Sequence, residues 1–165
     1  MNRVFSVFAF TLFSIGGAQA KDTDACGTDM VCASDPQTVV DALQREGYRA
    51  KLDKDNSGDP MISSAATGYN FDIFFYGCEE KKQCDSLQFS VTFDSDKTDT
   101  PKLANEWNVG NRFGKAAIND KNQFQLRYDV ATIGGLNKTN FKDSLDWWSA
   151  VLGDLKVFFQ NKIAT

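Results

Sequence analysis

Four cysteines are the residues in this chain best suited to covalent chemistry. Cys26, Cys32, Cys78 and Cys84 fall in two pairs, each six positions apart. An even count at such spacing reads as a disulfide framework in an oxidising compartment. Three connectivities are open. The spacing favours Cys26–Cys32 and Cys78–Cys84, where each short loop would restrict the unfolded chain by roughly 2 kcal/mol. A structural zinc site is the competing use of four thiolates, but it needs a C-x2-C knuckle that the sequence lacks. The chain has no histidine. Ser-His-Asp and Cys-His nucleophile systems both need an imidazole to carry the proton, so both are excluded. Histidine-ligated zinc and haem are excluded with them. The 22 acidic residues leave a carboxylate-based hydrolase as the least favoured alternative, with no pair singled out. No catalytic residue, cofactor or metal ligand is assigned, and the chain is expected not to be an enzyme.

Two stretches could recognise a ligand. Asp53-Lys54-Asp55-Asn56-Ser57-Gly58 begins like a calcium loop, with oxygen ligands at alternate positions before a glycine turn. The continuation fails, because Ser64 stands where a bidentate glutamate belongs, and a plain hairpin turn is the preferred reading. Trp107, Asn108 and Arg112 are the candidate binding residues. An indole face, an amide and a guanidinium would suit a sugar or a carboxylate. At a helix-to-strand corner the same residues would instead pack the ring, cap backbone and meet a nearby acid. Trp147-Trp148 poses a similar choice between a partner-binding face and the core. Core packing is favoured there, with both rings touching one broad buried surface.

The compartment follows from the first twenty residues. Asn2 and Arg3 precede an apolar run from Val4 to Ile15, and Ala18-Gln19-Ala20 fits a small-residue cleavage site. The run is shorter than the roughly 20 residues of a membrane span. Residues 1–20 are therefore expected to be a cleaved signal peptide, the mature protein to start at Lys21, and the location to be periplasmic. The formal net charge of −4 argues against nucleic-acid partners and against adhesion to anionic lipid. What remains is one domain's length of chain, enough to bury about 68–70% of its extended surface.

Periodicity places the elements. Residues 21–34 read as an extended segment and 35–165 as a single domain. Ser34 with Gln37 suggests a capping box for a first helix, and Gly47 its end. Period-two alternation then predicts strands around Tyr48–Asp53, Met61–Ala65, Tyr69–Cys78 and from Cys84 to Phe93. Leu103, Ala104 and Trp107 mark a short helix. Two strands follow, at Phe113–Ile118 and Gln123–Thr132. Phe141, Leu145, Trp148, Leu152, Leu155 and Phe159, at steps of four and three, predict a long closing helix. The order α-β-β-β-β-α-β-β-α points to an α+β fold, an antiparallel sheet with helices on one face and a polar other face.

That order and several local motifs resemble the YbjN family of bacterial proteins. The resemblance rests on Gly58-Asp59-Pro60 with Ile62, on Phe75-Tyr76-Gly77-Cys78, and on Cys84 with Ser86-Leu87-Gln88-Phe89. It continues through Trp107-Asn108 and Arg112-Phe113 to the closing helix, covering roughly Asp35 to Phe159. It implies a fold like that of class I type III secretion chaperones, small α/β proteins that hold partner polypeptides and often dimerise. The family's label, sensory transduction regulator, brings no catalytic residues with it. The expected role is thus an exported binding module for another protein or for itself as a homodimer, using the polar sheet face with the adjoining helix. The alternative is a small-ligand sensory domain.

Overall fold

A computed structural model describes residues 25–94, 96, 97 and 100–163. The expected signal peptide lies outside them. A short strand β1 (Met30–Val31) precedes helix α1 (Pro36–Arg45) and four strands: β2 (Lys51–Lys54), β3 (Pro60–Ala66), β4 (Tyr69–Tyr76) and β5 (Ser86–Thr92). Helix α2 (Pro101–Gly110), strands β6 (Lys115–Ile118), β7 (Phe124–Ala131) and β8 (Leu136–Asn137), and helix α3 (Lys138–Ile163) complete the chain. Six strands form one antiparallel sheet in the order β2-β3-β4-β5-β7-β6, and β1 pairs with β8 in a second, two-stranded sheet. The fold is α+β, as the pattern of periods predicts.

Local chemistry sets the helix ends. Asp35, rather than Ser34, caps α1, and its side chain accepts from the Gln37 N–H. A proline at the first helical position makes the residue before it the natural cap. Gly47 takes φ +83° just past the helix. The Tyr48 N–H then donates to the Leu43 carbonyl and the Gly47 N–H to that of Gln44, a Schellman closure. The Asn137 side chain accepts from the Asn140 N–H and starts α3.

Alternation along the strands sorts side chains into a core face and a bare face. Phe71, Ile73 and Phe75 of β4, Leu87, Phe89 and Val91 of β5, and Phe124, Leu126 and Val130 of β7 all join one buried cluster. Val39, Val40 and Leu43 of α1, Leu103 and Trp107 of α2, and Leu145, Trp148, Leu152 and Leu155 of α3 belong to the same cluster. All three helices therefore share one side of the sheet. Trp148 sits at its centre, its ring 5.6 Å from that of Phe71 and 5.8 Å from that of Phe89.

The small sheet has no counterpart in the sequence reading, because two-residue strands carry no periodicity. Met30 pairs with Asn137 and Val31 with Leu136. Thr132 reinforces the junction: its hydroxyl accepts from the Ala33 N–H and donates to the Asp85 carbonyl. The Cys26 and Cys32 sulfurs lie 2.17 Å apart and those of Cys78 and Cys84 2.12 Å apart, both at disulfide distance. The first pair flanks β1, and the second spans the connection from β4 to β5. At the Asp55 turn the carboxylate accepts from the Ser57 and Asp59 N–H groups and closes the β2–β3 hairpin.

Ser64 sits on the core face of β3, opposite Phe71, and its hydroxyl is buried with no hydrogen-bond partner. Its desolvation is not compensated. Ser64→Ala is expected to stabilise the protein by about 1 kcal/mol. A urea melt should show a higher midpoint at an unchanged slope; an unchanged or lower midpoint would show that the hydroxyl is satisfied.

Candidate functional site

The corner between α2 and β6 brings Trp107, Asn108 and Arg112 together in sequence but not into one cleft. Trp107 is 0% exposed. Its indole N–H donates to the Gly114 carbonyl at 2.8 Å, and its ring meets Phe158 of α3 edge-on at 5.5 Å. The Asn108 amide donates to the Ala116 carbonyl and its oxygen accepts from the Ala116 N–H. A side-chain amide thus takes the place of a strand partner on β6, which is an edge strand. The Asn111 N–H and its side-chain amide both donate to the Trp107 carbonyl, closing the helix. Gly114 lies so close to the long helix that an added Cβ would stand 2.6 Å from a Val151 methyl. Trp107 and Asn108 therefore join α2, β6 and α3; Trp107 is buried, while Asn108 and Arg112 are both exposed.

Arg112 leads to a surface cluster. Its guanidinium lies 4.9 Å from the centre of the Phe113 ring. Phe113 in turn packs its ring, tilted by 40°, against Trp147 of α3 at 4.4 Å and meets Tyr128 of β7 edge-on at 5.9 Å. Phe113 is 40% exposed and Trp147 41% exposed. The sequence leads one to expect both Trp147 and Trp148 on one buried surface, but only Trp148 is buried and Trp147 is 41% exposed. Successive helix residues point about 100° apart, and here that angle puts one ring in the core and the other at its rim. Phe113 also has φ +64°. A bulky side chain in the left-handed region is strained by about 1–3 kcal/mol and persists only where its surroundings enforce it. No sequence signal marks this strain; the pairing of Arg112-Phe113 with Trp147, far along the chain, arises only from folding.

The opposite face of the sheet is uncovered by helices. The register aligns Ser63, Asp72, Ser90 and Arg127 in one row across β3, β4, β5 and β7. Gln88 donates to Asp129, and Gln125 to Thr92, across the β5–β7 pair. The polar sheet face and the aromatic cluster are thus separate surfaces.

Charge also tethers elements together. Lys162 of α3 donates to Glu106 of α2, and that hydrogen bond holds the Glu106 carboxyl below the usual carboxylate range. The Lys138 ammonium does the same to Asp29, linking α3 to the segment before β1. A carboxylate lowered in the folded state contributes stability above its unfolded pKa and loses it as pH falls. Both tethers are exposed, so their loosening is expected in acid only and is screened by salt. Among the described residues, no three Asp, Glu or Cys side chains gather where they could hold a metal ion. No helix among them is long and apolar enough to cross a membrane.

In comparisons with known proteins, residues 35–160 match the YbjN family, described as a putative bacterial sensory transduction regulator. A search of curated proteins finds no match.

Proposed function

The chain belongs to the YbjN family, and on that premise we propose that it is an exported, non-enzymatic binding domain of the periplasm. It engages another polypeptide, or a second copy of itself, through the Arg112–Phe113–Trp147 cluster. The observation that carries this reading is a strained aromatic residue held half in solvent against an equally exposed tryptophan. Packing on Tyr128 and Trp147 still leaves Phe113 40% exposed, and aromatic and arginine side chains concentrate binding energy when a partner covers them. The family's description as a regulator supports binding over catalysis. The two cysteine pairs at disulfide distance fit an oxidising compartment, and the leader-like residues 1–20 fit export.

The test is site-specific crosslinking in the native cell. A photoreactive residue in place of Trp147 is expected to yield a discrete adduct, either to a second copy or to one other polypeptide. The same residue in place of exposed Lys54, on β2, is expected to yield none. Equal labelling from both positions, or none from 147, overturns the docking surface. Sequencing the amino terminus of the natural protein tests export separately. Lys21 is the expected first residue, and retention of the leader would remove the periplasmic assignment.

A further inference from the structure

We propose that the bare face of the sheet carries a small-ligand site, a groove that takes a neutral, hydroxyl-rich molecule of mono- or disaccharide size. The proposal stands apart from the aromatic cluster, which lies on the helical side. The groove has a volume of about 520 Å³ over β3, β4, β5 and β7, within the usual range of small-molecule sites. Its origin is the row of short side chains flanking Asp72. Ser63 and Ser90 stand on either side of that carboxylate, and Ser90 is only 4% exposed. Longer side chains at those two positions would fill the depression.

The lining is chemically specific. Its lining side chains include one carboxylate, Asp72, and one guanidinium, Arg49, and Arg127, beside Ser90 in the same row, donates to the lining Gln125. Charges of both signs around the groove disfavour a strongly charged ligand in either sense. The planar groups are already oriented by one another. Ser63 donates to one Asp72 oxygen at 2.8 Å, which leaves the second oxygen as an acceptor. Arg49 donates to the Asn70 side-chain oxygen at 2.9 Å, which leaves the Asn70 amide N–H groups as donors. Gln125 donates to the Thr92 hydroxyl at 3.0 Å, so that hydroxyl keeps its own proton to offer. Acceptor and donors side by side match a vicinal diol, in which each hydroxyl both gives and takes a hydrogen bond. Half-buried Phe74, two residues from Asp72 on the same face of β4, supplies an apolar wall for the C–H face of a sugar ring. Preorganised polar groups of this kind lower the cost of ordering the site on binding.

The test is a titration of the isotope-labelled mature protein, followed through backbone amide resonances. Maltose and N-acetylglucosamine are the probes, with glycine and inorganic phosphate as charged contrasts. Saturable shifts are expected at Asn70, Asp72, Ser90 and Gln125 with millimolar affinity for at least one sugar. Asp72→Asn and Asn70→Ala should each weaken that affinity about tenfold, while their remaining resonances report an intact fold. Trp147→Ser should leave the titration unchanged, so failure of this site and failure of the aromatic cluster are separable. No saturable shift with either sugar, shifts centred on Trp147, or a response to glycine or phosphate alone would each overturn the proposal.

Discussion

Trp107→Ala is expected to destabilise the protein by about 3–5 kcal/mol, the range for deleting a large buried aromatic side chain. The ring is completely buried and edge-on to Phe158, so its removal leaves a cavity between α2 and α3. The Gly114 carbonyl would lose the indole N–H that now lies 2.8 Å away. Trp107→Phe separates the two effects. It keeps most of the apolar volume and leaves the carbonyl without that donor, at an expected cost of about 1–3 kcal/mol. Urea unfolding followed by far-ultraviolet circular dichroism measures both. An alanine variant as stable as the parent would show that the indole is not structural, and would return Trp107 to the ligand site that its sequence context suggests.

The second large effect is expected at the connection between β4 and β5. Cys78→Ser should cost about 2 kcal/mol, the loop-closure contribution of so short a bridge. The intervening residues need restraint. Glu80, Lys81 and Gln83 have φ values of 48°, 66° and 47°, a conformation that non-glycine residues seldom adopt. Backbone bonds help: Glu79 and Lys82 exchange N–H···O contacts of 2.7 Å, and the Asp85 N–H donates to the Tyr76 carbonyl at 2.8 Å. The Lys81 ammonium also lies 3.5 Å from the Asp59 carboxylate of the neighbouring turn. The parent protein under reducing conditions should lose at least as much stability as the variant does under oxidising ones. If the variant matches the oxidised parent, the bridge adds nothing and the backbone contacts alone hold the loop.

Long elements were legible because their periods are long enough to exceed chance. Tyr69, Phe71, Ile73 and Phe75 alternate, as do Leu87, Phe89 and Val91, and all are buried except Tyr69, which is partly buried at the strand's start. The aromatic and leucine stripe of α3 predicts its core face, and Trp148 at its centre is buried as that stripe requires. Edges were less legible. Strand β6 begins at Lys115 rather than at Phe113, since the left-handed turn at Phe113 removes that residue from the ladder. Strand β2 keeps its pairing with β3, although all four of its residues are exposed. At a sheet edge, hydrogen bonding alone can hold a strand that buries little.

Sequence alone determined which residues alternate, where glycine and proline interrupt them, and that nucleophile chemistry based on histidine is excluded. Those are properties of neighbours along the chain. Tertiary structure decided that β1 would meet β8, that Trp147 would lie at the rim while Trp148 lies in the core, and that Phe113 would pack against Trp147. It also decided that Ser63, Asp72, Ser90 and Gln125, drawn from four strands, would line one groove. Such groupings depend on strand order and on the angle at which a helix crosses the sheet. Both are set by packing between distant segments, which local periodicity does not encode.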